Sequence, residues 1–258
     1  MLSRLRALDP SRPLREILFY RVCYWIVVAA YTLFYRVRFE GVSNIPATGG
    51  LLVIANHQSH LDPPLVGVGI RHRNMAAIAR QGLFKNPVLG AILHGLGVIP
   101  IRESEPRGGG GSSGDAAAIR TSIAQLKDGR VVVIFPEGSR SPDGAMYSFK
   151  RGVWLLLARS GVPIVPAAVE GCYDAWPRHR RLPRLVGQRC AVRYGEPIQF
   201  ASLKALGPDA GLELLARRVD ALRLELRAQM RRQTHGRLPE PGPADGPFVP
   251  RDVPASSG

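Results

Sequence analysis

The chain has 258 residues, of which 45 % are hydrophobic; this is enough for a sizeable core and excludes an intrinsically disordered protein. Its formal net charge of +15 indicates an anionic partner, which the charge alone does not identify among nucleic acid, lipid headgroups and a phosphorylated substrate. Cys23, Cys172 and Cys190 have no paired spacing, so neither a disulfide framework nor a zinc site is indicated, and a reducing environment fits best.

The N-terminal region predicts a membrane anchor. Residues 1–13 contain three arginines but lack the apolar core and cleavage site of a secretory signal. Residues 17–35 are apolar except for Arg21, and their uncharged part, residues 22–35, would form a helix of about 21 Å, short of the ~30 Å hydrocarbon layer. The aromatic residues and flanking arginines favour an interfacial anchor. A single span with Arg21 reaching the surface and a buried core helix are the alternatives.

Apolar runs alternate with helical candidates from Arg36 onward. The predicted strands are residues 51–55, 75–79, 97–101, 131–135 and 163–169, and the predicted helices are 63–70, 86–95, 115–128, 151–160 and 210–233. This alternation predicts an α/β fold with a mostly parallel mixed sheet flanked by helices. Functional residues are then expected at the carboxyl ends of strands.

Three regions of the chain are expected to differ in organisation. We predict a membrane-associating helical segment over residues 1–36, one globular domain over 37–235 and a disordered tail over 236–258. The tail prediction depends on six prolines and the absence of apolar periodicity.

The stretch "ANHQSHLDPP", residues 55–64, places two histidines and an aspartate after a predicted strand. His57 and Asp62 would point about 140° apart on a helix and to opposite faces on a strand, so they meet only across a turn. Asp62 and Pro63 are typical of a helix N-cap and first turn, which would supply that turn. A His–Asp pair can act as a general base on a hydroxyl. Without a further motif, a capping aspartate with an unrelated core histidine is the favoured interpretation. A metal site that includes His60 fits no zinc spacing.

A second polar stretch, "PEGSRS" at residues 136–141, follows another predicted strand. Arg140 offers a rigid fork suited to phosphate, and Glu137 would orient that arginine. Gly138 allows close approach of the backbone. Lys85 and Arg102 occupy comparable positions near strand ends. A surface turn with a local salt bridge is the alternative.

Four motifs in order resemble those of the glycerolipid acyltransferases of the 1-acylglycerol-3-phosphate (lysophosphatidate) type. They are "NHQSHLD" (56–62), "GVIPIR" (97–102), "FPEGSRS" (135–141) and "VPIVPAAV" (162–169), and the resemblance covers about residues 37–200. Ser139 stands where the family usually has threonine, which retains the hydroxyl. The glycine-rich insertion after Arg102 departs from the family pattern.

The resemblance implies transfer of a fatty acyl group from an acyl-CoA or acyl carrier protein thioester to the free hydroxyl of a lysophospholipid, with 1-acylglycerol-3-phosphate as the expected acceptor. Glycerol 3-phosphate and lyso-ornithine lipid remain alternatives. It also implies a catalytic dyad of His57 and Asp62. We further expect no cofactor or metal, and a location at the cytoplasmic face of the membrane, where the N-terminal anchor would hold the active site. The acceptor-site residues implied are Lys85, Arg102, Glu137, Gly138, Ser139 and Arg140.

Two other functional classes fit the sequence less well. "GGSSG" (110–114) satisfies a serine-hydrolase pattern without the required preceding strand, and the P-loop spacing of the same stretch has Asp115 in place of lysine. Residues 176–193 hold six arginines and no acid, as in nucleic-acid-binding proteins, but contain no recognisable nucleic-acid-binding motif. Together with residues 17–35, this basic stretch favours an anionic membrane rather than nucleic acid as the partner.

Overall fold

A computed structural model describes residues 13–101 and 113–254 of the protein. Seven strands form one sheet in the order β1-β7-β6-β2-β5-β3-β4. All neighbouring strands are parallel except β6 and β7, so the predicted mostly parallel mixed sheet is confirmed. The strands are β1 (Arg36–Glu40), β2 (Leu51–Ala55), β3 (Met75–Arg80), β4 (Ile99–Ile101), β5 (Val131–Ile134), β6 (Ile164–Glu170) and β7 (Arg189–Tyr194).

Helices cover both faces of the sheet. They are α1 (Leu14–Phe34), α2 (Asp62–Gly69), α3 (Pro87–Gly95), α4 (Ser113–Lys127), α5 (Gly152–Ser160), α6 (Cys172–Ala175), α7 (Phe200–Lys204) and α8 (Pro208–Gln233). Local sequence explains several boundaries: proline lies in the first turn of α2, α3 and α8, and the Asn86 side chain accepts a hydrogen bond from the Leu89 N–H at the start of α3. Helix α5 ends at Gly161, whose φ of 63° favours glycine.

The central strands are buried on both faces, and alternate residues supply two different cores. On one face Leu51, Val53 and Ala55 of β2 pack with the buried residues of α2. On the other face Leu52 and Ile54 pack with residues of α5 and α8. Continuous apolar runs such as "LLVIA" are therefore explained by helices on both sides of the sheet.

Strands β1 and β7 were not predicted, because arginines interrupt their apolar pattern. In β7, Cys190 and Val192 are buried, while Arg193 forms ion pairs with Glu40 of β1 and Glu225 of α8. The basic stretch 176–193 is thus not one continuous basic surface. Its last residues form strand β7 inside the sheet, and Arg193 there is paired with carboxylates from distant parts of the chain.

Helix α1 lies against the domain on one face and is apolar on the other. The Tyr24 and Tyr31 hydroxyls donate to the carbonyls of Val68 and Leu61, and the Tyr20 hydroxyl accepts from the Met75 N–H. The opposite side presents exposed apolar side chains: Leu18, Val22, Trp25, Ile26 and Leu33. By length and composition alone, Leu14–Phe34 is a helix that could cross a membrane.

The chain after Gly236 packs against α8 instead of being disordered as predicted, over the part described, residues 236–254. Phe248 is only 6 % exposed and joins the core beside α8, and its N–H donates to Asp220 at 2.7 Å. Arg223 is completely buried and donates to the carbonyls of Ala244 and Gly246. A proline-rich segment can be ordered without apolar periodicity when a few of its residues bind a helix that is already folded. Disorder was predicted because these contacts with α8 are not visible in the local sequence. We call residues 236–254 the strap.

Candidate functional site

The turn after β2 is built around the Asp62 carboxylate. Oδ2 of Asp62 accepts hydrogen bonds from the backbone N–H groups of Gln58 and Ser59, both at 2.6 Å, and lies 2.9 Å from Nδ1 of His57. The residue that caps α2 is Leu61, and Asp62 is the first residue of the helix. The predicted turn is present, but Asp62 forms it by binding the preceding backbone and not by capping the helix.

The contact predicted between His57 and Asp62 is confirmed by this geometry. The Asp62 side chain is fully buried, whereas that of His57 is 18 % exposed. Because Nδ1 faces a carboxylate, it carries the proton, and the lone pair of Nε2 is left for a reacting group. The ring stacks on Phe135 at a centroid distance of 4.4 Å, which fixes its plane. The arrangement provides an oriented imidazole that solutes can reach.

The loop after β5 holds the His57 backbone from both sides. Oε1 of Glu137 accepts the His57 N–H at 2.8 Å, and the Ser141 N–H donates to the His57 carbonyl at 2.7 Å. Oε2 of Glu137 accepts the Tyr147 N–H at 3.1 Å. Burial raises the pKa of Glu137 to about 8, although its two backbone hydrogen bonds act in the opposite direction. The expectation that Glu137 orients Arg140 was wrong, because both carboxyl oxygens bind backbone N–H groups.

Arg140 presents hydrogen-bond donors beside the His–Asp pair. Its Nη1 is buried and has no hydrogen-bond partner within the described residues. Burial lowers the pKa of Arg140, and the positive charges of Arg178 and Arg80 lower it further. Burial likewise lowers the pKa of His60, and the positive charge of Arg140 lowers it further. Positive charge is therefore concentrated next to the turn, as an anionic ligand requires.

Sequence reasoning missed Arg80 and Arg178. Arg80 is the last residue of β3, so the strand-end rule that selected Lys85 applies equally to it. Arg178 follows α6 in the stretch interpreted as a general basic patch. In that stretch the ring of Trp176 lies tilted against that of His60, with centroids 5.0 Å apart, and the Trp176 carbonyl accepts a hydrogen bond from the Ser59 hydroxyl at 2.8 Å. Residues 176–180 thus form a wall of the site, a long-range contact that no local pattern indicates.

The other predicted site residues have varied surroundings. Gly138 has a φ of 79°, a conformation that favours glycine, and Ser139 beside it is half-buried. Lys85 is exposed at the end of a short 3-10 helix, Gln81–Lys85, and its side chain has no hydrogen bond or ion pair within the ranges that the structure describes. Arg102 lies outside the described residues.

A histidine–carboxylate pair at the carboxyl edge of a parallel sheet is typical of enzymes that use imidazole as a general base. Within the described part of the chain, no group of three His, Cys, Asp or Glu residues is placed to hold a metal ion. A sequence model of the acyltransferase family matches residues 36–170, somewhat more than half of the chain. The protein therefore belongs to the acyltransferase family.

Known relatives and a solved structure agree with this membership. The chain is 33 % identical over 149 residues to a chloroplastic 1-acyl-sn-glycerol-3-phosphate acyltransferase of Arabidopsis thaliana, covering 57 % of this chain and 39 % of the relative. It is 30 % identical over 128 residues to the 1-acyl-sn-glycerol-3-phosphate acyltransferase of Bacillus subtilis, covering 50 % of this chain and 59 % of the relative. These curated relatives are thus matched over less than two thirds of their length.

The fold is also similar to a crystal structure, that of the 1-acyl-sn-glycerophosphate acyltransferase PlsC from Thermotoga maritima. The TM-score is 0.67 at 28 % sequence identity, and the alignment covers 83 % of this chain and 82 % of the other. The likeness extends well beyond the segment matched by the family.

Proposed function

We propose that the protein is a membrane-associated acyltransferase that transfers a fatty acyl group from an acyl-CoA or acyl carrier protein thioester to the free hydroxyl of a lysophospholipid. 1-Acylglycerol-3-phosphate is the proposed acceptor and phosphatidate the product, as the names of the relatives suggest. The observation that carries the proposal is the 2.9 Å contact between His57 Nδ1 and Asp62 Oδ2, which leaves Nε2 free to accept a proton.

The proposed reaction needs one proton acceptor and one leaving group. His57 Nε2 takes the proton of the acceptor hydroxyl as its oxygen attacks the thioester carbonyl carbon. A C–O bond forms, the tetrahedral intermediate collapses and the C–S bond breaks. The leaving thiolate then takes the proton from His57 and departs as a thiol, which restores the neutral imidazole. Asp62 stabilises the imidazolium in between. No covalent acyl-enzyme is required.

The acceptor phosphate is proposed to bind beside the dyad, where Arg140 offers an unpaired buried donor. Arg80 and Arg178 contribute positive charge, and Gly138 and Ser139 lie next to Arg140 in the same loop. Lys85 and Arg102 are proposed as further phosphate contacts. Glu137, in contrast, acts through the backbone of His57 and does not contact the phosphate.

Helix α1 is proposed to lie in the plane of the membrane at the cytoplasmic face. The hydroxyls of its Tyr20, Tyr24 and Tyr31 form hydrogen bonds with backbone groups of the domain. From Tyr20 to Tyr31 the helix axis extends over about 16 Å. A helix tied to the domain over that distance cannot stand across a bilayer without breaking these bonds. Its exposed apolar side then faces the acyl chains, and the exposed Arg15 in its first turn is placed to meet anionic headgroups.

The test of the proposed function is an acyl-transfer assay with the full-length protein. Lysophosphatidate, glycerol 3-phosphate and lyso-ornithine lipid serve as acceptors, each with palmitoyl-CoA and with palmitoyl acyl carrier protein. We expect His57→Ala to lower turnover by about 10²–10⁴-fold, the usual contribution of a general base.

His72→Ala is the matched control, because His72 is exposed and lies outside the site. Its turnover should equal that of the parent protein. If His57→Ala retains turnover within a few-fold of His72→Ala, His57 is not the base. Absence of transfer to every acceptor in the parent protein contradicts the activity itself.

A further inference from the structure

A network of ion pairs and hydrogen bonds, buried at Arg227 and Glu170 and open to solvent at Asp245, links the strap to the catalytic turn, residues 56–62. Arg227 of α8 donates from Nε to Asp245 of the strap at 2.6 Å and from Nη1 to Glu170 at 2.7 Å. Its Nη2 donates to the carbonyl of Glu240, also in the strap. Glu170 is 1 % exposed and ends β6, next to β2. Arg227 is thus held between the strap and the sheet.

The network continues from Glu170 to the turn through Gln58. Nε2 of Gln58 donates to the Gly144 carbonyl at 2.9 Å and lies 3.5 Å from Oε2 of Glu170. The backbone N–H of the same residue binds Asp62. One continuous set of contacts therefore runs from Asp245 in the strap to the carboxylate that faces His57.

A second set of contacts starts at Arg251 and reaches His57 from the other side. The Arg251 side chain donates to Asp143 at 3.1 Å and lies over the ring of Tyr147 at 4.5 Å, and its carbonyl accepts the Ser148 N–H. The Tyr147 N–H binds Glu137, which in turn binds the backbone of His57. The strap therefore supports the segment on which the Glu137 contact depends.

Both sets of contacts have the same physical consequence. Removing Asp245 leaves Arg227 without the carboxylate that balances its charge on the strap side, and a buried charge that loses a partner destabilises the arrangement around it. Glu170 and Gln58 would move accordingly. Catalysis is sensitive to such displacements, because a shift of about 1 Å in a reacting group can cost about 10²-fold in rate.

We propose that the strap is a positioning element of the active site, which holds the catalytic turn through Arg227, Glu170 and Gln58 and holds Glu137 through Tyr147. The inference rests on the proposed function, since it concerns the placement of the base. The strap follows the segment 36–170 that the family model matches. Asp245 and Arg251 act through other residues and do not touch the substrates.

The first test is Asp245→Asn, which keeps the size of the side chain and removes its charge. Glu213→Gln is the matched control, because Glu213 on α8 forms an exposed ion pair with Arg217. We expect kcat of Asp245→Asn to fall about tenfold or more, with an acceptor KM within about twofold of the control, at a temperature where circular dichroism shows both variants folded. Asp245→Glu should recover part of the lost kcat.

The second test is Arg251→Ala, because the Arg251 side chain is 46 % exposed and its loss leaves the core intact. Arg159→Ala, at an exposed position on α5, is its control. A lower kcat at unchanged acceptor KM is expected here also. Each substitution should have no further effect on the residual turnover of His57→Ala. If the strap acts only by positioning His57, its loss cannot matter once His57 is absent.

The outcomes separate this inference from the proposed function. If His57→Ala loses turnover while the two strap variants match their controls, the strap inference is wrong and the proposed function stands. If Asp245→Asn does not fold, an unchanged kcat in Arg251→Ala is enough to overturn the inference. If His57→Ala retains turnover, the proposed function fails independently of the strap.

Discussion

At the scale of single residues, one carboxylate oxygen organises the candidate site. Oδ2 of Asp62 accepts two backbone N–H groups and faces the imidazole of His57. The two N–H groups hold the carboxylate in place, and its Oδ2 accepts a hydrogen bond from Nδ1 of the ring, which leaves Nε2 as the acceptor nitrogen. The five-residue spacing of His57 and Asp62 therefore follows from the size of the turn that this oxygen closes.

Arg140→Ala is expected to weaken binding of the phosphorylated acceptor. Losing a charge-assisted hydrogen bond of about 1.5–3 kcal/mol corresponds to a rise in acceptor KM of roughly 10- to 100-fold. Because the base remains in place, kcat should change much less. The measurement is steady-state kinetics with lysophosphatidate, with Arg159→Ala as control. An acceptor KM equal to that of the control would remove Arg140 from the acceptor site.

At the scale of secondary structure, helix α1 combines two properties that rarely occur on one helix. Its tyrosines bind backbone groups of the domain through their hydroxyls, and its other side is apolar and exposed. A helix in the protein core would bury both sides, and a helix at the surface of a water-soluble protein would have a polar outer face. Helix α3 extends this apolar side, since Val88 is exposed and Gly95 packs closely against the ring of Phe19.

Ile26→Asp is expected to reduce binding of the protein to anionic vesicles by about tenfold or more, because an apolar side chain that enters the acyl region contributes about 1.5–3 kcal/mol. Flotation with phosphatidylglycerol-containing vesicles measures this binding. Ala158→Asp on the exposed side of α5 introduces the same charge elsewhere. Equal flotation of the two variants would show that this side of α1 does not meet the bilayer.

The elements that sequence reasoning predicted are those whose pattern is local. "LLVIA" and "VVVIF" predict strands because both faces of β2 and β5 are covered, and the boundaries agree within one residue. Strand β7 depends instead on Glu40 and Glu225, which meet the charge of Arg193 from elsewhere in the chain. Glu137 shows the same limit within the site: its motif was recognised, but its partners, the N–H groups of His57 and Tyr147, follow from tertiary packing.

At the scale of the whole molecule, the buried carboxyl of Glu137 connects stability to pH. Its pKa of about 8 in the folded protein lies above the value of 4.5 expected for the unfolded chain. Between these values the folded protein holds a proton that the unfolded chain has released. This group therefore makes the free energy of unfolding fall as pH rises from about 4.5 to about 8, by at most about 1.4 kcal/mol per pH unit.

Glu137→Gln removes this dependence. Urea titrations give the free energy of unfolding of the parent protein and of Glu137→Gln at each pH. We expect the difference, parent minus variant, to decrease between pH 5 and pH 8. The same difference taken with Glu213→Gln should stay nearly constant, because the Glu213 side chain is 43 % exposed. A constant difference for Glu137→Gln would mean that the carboxyl is ionised throughout this range in the folded state.

The double attachment of the His57 backbone limits how substrates can enter. Residues 137 and 141 bind its N–H and its carbonyl, respectively, although 80 positions separate His57 from Glu137 in the chain. The loop after β5 therefore cannot swing away as a gate without carrying the imidazole along. An opening that admits a bulky lipid while His57 keeps its position is then left to the other walls of the site, such as the one where the ring of Trp176 lies against that of His60.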